Sequence, residues 1–192
     1  MTGLAELMSM PEKNLDEHLR TVVELVSFIL KSNLELKDLG ITYSTLMGNY
    51  SPNMSDINIV VYGKKKFWKL MEFLEKNSHK GLRWKTYEEW EEFYKKRNRH
   101  IIHKKEIYIK NMHRKKSEGF FKKILFIIFA VENENEAWFK WGEERYRRMG
   151  SAKFEAIVND NKDSIVRPGC YTISESKFIN GDSTCKGIPI SK

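Results

Sequence analysis

The chain has 192 residues, of which 41% are hydrophobic and 31% charged, a make-up that excludes a disordered or bilayer-spanning polypeptide and allows one domain with a small appendage. Its 34 Lys and Arg exceed its 26 Asp and Glu, giving a formal charge of +8, which favours approach to polyanions; a lysine-rich solvated surface accounts for the same excess equally well. Cys170 and Cys185 have no partners at zinc-ligand spacing, Met1–Asn14 lacks a signal-peptide pattern, and the apolar run Ile124–Val131 is far too short to span a bilayer, so a cytoplasmic protein without membrane contact is expected.

Residues 1–14 show little pattern and read as a loosely held leader. From Leu15 to Lys31, Leu15, Leu19, Val22, Val23, Val26, Ile29 and Leu30 recur at helical spacing, with Asn14 as N-cap. A turn through Leu34–Leu39 then delivers the chain, past Gly40, into a strand over about Leu39–Ser44.

The stretch Ile41–Gly63, I-T-Y-S-T-L-M-G-N-Y-S-P-N-M-S-D-I-N-I-V-V-Y-G, reads as strand, tight helical turn through Gly48, a Ser51-Pro52-Asn53 loop, and a strand over Ser55–Tyr62. Asp56 and Asn58 alternate with apolar neighbours, so both project from one strand face. Two short oxygen-bearing side chains on one face, next to a hydroxyl from the preceding turn, suit a divalent metal and a triphosphate.

On Ser44, Gly48, Ser55, Asp56, Ile57 and Ile59–Gly63 the chain resembles the nucleotidyltransferases of the DNA polymerase β superfamily, in particular their stand-alone archaeal members. The family pattern is Gly-Ser, a short helix with a second Gly, a loop, then Ser-Asp-Ile-Asp and an apolar strand. Tyr43 stands at the first Gly and Asn58 at the second Asp. The resemblance implies an α+β fold, a small mixed β-sheet flanked by helices. It also implies transfer of a nucleoside monophosphate from an NTP to a hydroxyl acceptor on RNA or protein, with Mg2+ as cofactor. Asp56 and Asn58 would be the catalytic and metal-binding pair, and Ser44, Gly48 and Ser55 would form the nucleotide-binding turn.

Both departures fall on that chemistry. Asparagine keeps a carbonyl oxygen but removes a full negative charge from a magnesium site, which relies on carboxylates and water. A tyrosine replaces the glycine that lets backbone approach a triphosphate. The expected activity is therefore weak or lost. A non-catalytic nucleotide- or RNA-binding module is the alternative, and a structural partner protein a further one.

After Gly63, Phe67, Leu70, Met71 and Leu74 predict a helix over Lys66–Asn77; Lys64, Lys65 and Lys66 at its start are candidate phosphate neutralisers or simply a solvated cluster. Thr86 to about His100 is a further helix, acidic first and basic last, with Tyr87, Trp90 and Tyr94 on a core face. Lys95, Lys96, Arg97, Arg99, Lys104 and Lys105 exceed what a helix terminus needs and are the first choice for a nucleic-acid surface.

Glu106–Met112 alternates as a strand, and on the resemblance the third metal-binding acid is sought there; Glu106, at its edge, is its sole acid. Phe120–Val131 fits a buried helix or a strand, and Glu132–Arg148 reads as helical. Short β-like runs follow at Ala152–Val158, Ser164–Val166 and Tyr171–Phe178, with a frayed tail from Asn180, similar to the start of the small β domain that follows the transferase core in the archaeal family. The expected organisation is a leader over 1–14, a transferase-like domain over 15–149 and an incomplete β segment over 150–192.

Overall fold

Asp16, rather than Asn14, starts the first long helix: its Oδ1 accepts the Leu19 N–H at 2.8 Å, and helix α2 runs Glu17–Leu30. Val22, Leu25, Val26 and Ile29 fall at spacings of three and four, and all are fully buried. The expected leader is instead a short helix, α1 (Leu4–Ser9), whose Leu4 and Leu7 are buried one turn apart and which packs on α2. The computed structural model describes residues 3–52, 54–78, 81–97, 103–137, 142–143, 147–166 and 169–183. It divides into two compact units, Met1–Phe129 and Ala130–Lys192.

The fold is α+β, as the sequence implies. A five-stranded sheet in the order β1-β2-β5-β4-β3 is built from β1 (Leu39–Ile41), β2 (Ile57–Tyr62), β3 (Leu82–Trp84), β4 (Glu118–Phe121) and β5 (Ile124–Val131). The helices are α3 (Tyr43–Met47), α4 (Lys64–Lys76), α5 (Tyr87–Arg97) and α6 (Lys105–Lys115), after α1 and α2. β1 pairs antiparallel with β2, placing Leu39 opposite Val61 and Ile41 opposite Ile59; β4 pairs antiparallel with both β3 and β5.

Strand alternation sorts the residues onto two faces. Ile57, Ile59, Val61, Phe126, Ile128, Leu39, Ile41, Leu82 and Phe121 fall on one, and all are buried. α2 meets that face, where Phe28 stacks on Phe121 and packs at a tilt against Phe73 of α4. The other face carries Gly40, Asn58, Val60 and Tyr62, then Leu125, Ile127 and Phe129, and finally Phe120, Glu118 and Arg83. Gly119 is required where β3 crosses β4: a Cβ there would lie 2.4 Å from the Arg83 carbonyl oxygen and 3.0 Å from the Phe126 ring.

Two elements differ from the sequence expectation, and a third that it left open is settled. Glu106–Met112 is not a strand but lies within α6, because the period-two pattern of Ile107 and Ile109 competes with a helical spacing of Ile109 and Met112. Contact with α5 decides: Tyr108 packs against Trp90 and Tyr94 at centroid distances of 6.4 and 5.6 Å. Phe120–Val131, which periodicity leaves open, is a β-hairpin turning at Lys122 and Lys123, with Lys122 at φ 55°. The expected helix over Glu132–Arg148 is not formed by its described residues, which are turns or irregular.

In the second unit, β6 (Ala152–Asp160) and β7 (Thr172–Gly181) form an antiparallel two-stranded sheet with three register shifts. The run Ser164–Val166 is not a strand; Lys162–Ile165 is a short 3-10 turn. Asn180 and Gly181, expected in the frayed tail, pair with Lys153 and Ala152, while residues 184–192 lie outside the described residues. Cys170 is exposed. No helix among the described residues is long and apolar enough to cross a membrane.

Candidate functional site

The strand-turn-strand read from Ile41–Gly63 is formed. The β1–β2 ladder extends one step beyond β1 through the Thr42 N–H, which donates to the Asn58 carbonyl at 3.2 Å, so the start of α3 adjoins the start of β2. This brings Ser44, Gly48, Ser55, Asp56 and Asn58 to one end of the sheet. The turn into α3 demands a left-handed residue: Tyr43 has φ 55°, in the region where a bulky residue is an outlier and glycine is at ease. The backbone thus takes a shape that glycine adopts without strain, while a side chain 54% exposed occupies the turn.

Gly48 ends α3 at φ 70°, and its N–H reaches back to the Ser44 and Thr45 carbonyls. Ser55 is used locally: its Oγ accepts the Ser51 N–H and its own N–H donates to the Ser51 carbonyl, both at 2.9 Å.

Asp56 is half-buried at the mouth of β2. Asn58 is only 5% exposed, on the face shared with Val60. The strand beside β2 is β5, not the 106–112 segment, which lies in α6, so a third acid on a neighbouring strand would have to come from β5. Alternating with the buried Phe126, Ile128 and Ala130, its residues on the Asn58 side are Leu125, Ile127, Phe129 and Val131, all apolar. Among the described residues no cluster of three His, Cys, Asp or Glu is placed to hold a metal ion. A pair of magnesium ions needs several carboxylate oxygens; one half-buried aspartate, one buried amide and an apolar neighbour strand do not fit that pair.

The lysines at the start of α4 are not part of this cluster. Asp56 precedes β2 and Lys64 follows it, and a six-residue strand separates them by roughly 17 Å. Lys66 is moreover committed to Asp38, donating at 2.6 Å to a carboxylate that is 5% exposed. Burial pushes the Asp38 carboxyl up, but the Lys66 ammonium and the Glu35 N–H outweigh it and hold it below the usual range. Lys65 is exposed.

A polar cluster around the buried His18, which the sequence did not disclose, supports the turn. His18 on α2 is fully buried; its Nε2 lies 3.0 Å from the Thr45 hydroxyl on α3, and its ring stacks on Tyr50 at 4.5 Å. The Tyr50 hydroxyl in turn donates at 2.6 Å to the Asp16 carboxylate that caps α2. Burial lowers the His18 pKa, partly offset by the negative charges of Asp16 and Asp56. Burial and the bond to Asp16 push the Tyr50 phenol up to about 12. The partners lie 27 and 34 residues apart, so no local pattern connects them; the sole sequence signal was Asp16 two residues before His18.

The basic segment divides. Lys95 and Lys105 both pair with Glu91, while Lys96 and Arg97 at the end of α5, and Lys104 at the N-cap of α6, are exposed. Arg99 lies outside the described residues.

Compared with known proteins, the chain is 30% identical over 142 residues, 72% of its length, to the uncharacterized protein MJ1086 of Methanocaldococcus jannaschii. It spans 41% of that relative's length, so it corresponds to less than half of the longer protein. No family model matches the chain, and no solved structure matches it.

Proposed function

We propose that the first unit is a nucleotidyltransferase-like scaffold that binds a nucleoside triphosphate at the α3 turn without transferring its nucleotidyl group. The observation that carries this reading is the donor set around the turn: Asp56 supplies a carboxylate, Asn58 is buried, and β5, with Leu125, Ile127 and Phe129 on the Asn58 face, carries no acidic residue. The Tyr43 ring, exposed beside Phe129 at 6.5 Å, offers a surface on which a base can stack.

Calorimetric titration with ATP and GTP, with magnesium and with EDTA, tests it. Binding that survives EDTA and Asp56→Ala but weakens in Tyr43→Ala supports the scaffold. Absence of binding under every condition refutes it. A second reading, residual magnesium-dependent transfer, is favoured by the partial exposure of Asp56. It requires binding that is lost with EDTA and in Asp56→Ala.

A further inference from the structure

The charge of the chain is not spread evenly. Between Lys95 and Lys123, a run of 29 residues, twelve Lys and Arg stand against two Glu, whereas the rest of the chain has 22 bases against 24 acids. The whole positive excess of the protein therefore sits in the end of α5, all of α6 and the β4–β5 turn. Ion pairing does not absorb it. Lys95 and Lys105 share Glu91, Lys116 pairs with Glu75 and Lys122 with Glu24, but Lys96, Lys104, Lys110 and Arg114 make no ion pair among the described residues.

The folded arrangement turns this excess into a surface. α5 and α6 form an antiparallel helical hairpin: Tyr87 at the start of α5 stacks on His113 near the end of α6, and the Tyr94 hydroxyl near the end of α5 donates to the His103 carbonyl just before α6. Its inner side is fixed by Trp90, 1% exposed, and by the buried Lys85–Glu118 pair, whose ammonium lies 4.4 Å from the Trp90 ring centroid. Tyr108 and His113 meet α5 and Ile109 is buried, which leaves Ile107, Lys110, Asn111 and Arg114 on the outward side of α6. Lys110 and Arg114 are one turn apart, about 6 Å along the axis, with Lys104 preceding them. Beside this row, Tyr87 is 49% exposed while its other face rests on His113 at 4.1 Å, a stiff ring held ready for an unpaired base.

We infer that the α5–α6 hairpin binds single-stranded nucleic acid, its backbone along Lys96, Lys104, Lys110 and Arg114 and a base against Tyr87. This surface does not depend on the nucleotide-binding turn. An acidic membrane is the poorer fit, because interfacial helices insert several bulky apolar side chains and the outward row offers only Ile107. Four phosphate contacts on a single strand predict a slope of about −2.8 in log K against log salt, or a loss of about 50-fold between 50 and 200 mM.

Fluorescence anisotropy with labelled 20-nucleotide oligo(U) and oligo(dT) tests the inference on the full chain, with K110E/R114E against the charge-matched control K37E/K69E. The substituted residues are exposed in both, and thermal melts verify folding. The expected result is binding with that salt slope, weakened at least tenfold by K110E/R114E and less than threefold by the control. Equal losses in both variants would show attraction by net charge alone and overturn the assignment. So would association with phosphatidylserine vesicles but with neither oligonucleotide, or no binding at 50 mM salt. Stronger binding of oligo(U) than of oligo(dT) assigns the surface to RNA, and the reverse assigns it to DNA, each within the inference.

Discussion

Replacing His18 by Gln separates the two things this residue does, filling space and holding a neutral ring against the α3 turn. Nothing of His18 is exposed, so folding favours its uncharged form, and burial depresses its pKa below the ordinary value of 6.5. The sign follows from proton counting. Below pH 6.5 the unfolded chain takes up the proton and the folded chain resists it. This contribution is thus fully present above pH 6.5 and falls by about 1.4 kcal/mol per pH unit until the lower folded pKa is reached.

The carboxylates of Asp16 and Asp56 limit the effect, and Asp16, whose own pKa is held down by the Leu19 N–H and Tyr50 hydroxyl against the opposing effect of burial, adds its loss only at more acid pH. His18→Gln cannot titrate, so its stability curve should be flatter over pH 6.5 to 5 although lower at pH 7.5. The offset at pH 7.5 comes from the lost stacking on Tyr50, about 1 kcal/mol, and from any bond to Thr45 that the amide fails to restore, again about 1 kcal/mol. Urea unfolding at pH 7.5, 6.5, 6.0 and 5.5 measures both. Parallel curves for the native chain and the variant would refute the claim that His18 is held neutral.

Other consequences can be measured by the same unfolding assay. Lys85→Ala leaves Glu118, 16% exposed in its side chain, without its cation and should cost about 3–5 kcal/mol, whereas Lys85→Met with Glu118→Leu should recover most of that loss; equal losses in the single and double variants would contradict a coupled pair. Gly119→Ala drives a methyl against the Arg83 carbonyl and should cost about 1–3 kcal/mol, and an unchanged midpoint would mean that β3 and β4 separate freely.

Much of the scaffold was legible because it rests on local periodicity. The stripe Val22, Val26, Ile29 gives α2, and the β-branched run after Asp56 gives β2. The loop signal between Gly48 and Ser55 also falls where the chain turns. What was hidden depends on distant partners. Ile107 and Ile109 alternate like a strand, whereas the segment is helical, with Tyr108 between them packed on Trp90 and Tyr94 across the hairpin. The juxtaposition of Ser44, Gly48, Ser55, Asp56 and Asn58 was legible but not its surroundings: no spacing announces that β5 lies beside β2, or that Ile127 and Phe129 share the Asn58 face. The lysines after β2 looked close to Asp56 in sequence and are a strand's length away; Lys66 had a buried partner, Asp38, in a turn 28 residues earlier.

The proposed scaffold offers a nucleotide-binding turn without the carboxylates that a pair of metal ions needs. Incubation with α-labelled NTPs, manganese and a mixed pool of RNA and protein, using the native chain and Asn58→Asp with Tyr43→Gly, tests it most directly. The account predicts no covalently transferred label from either, because the double variant restores one carboxylate and leaves Leu125, Ile127 and Phe129 on the neighbouring strand; label transferred by the native chain and lost in Asp56→Ala would contradict it.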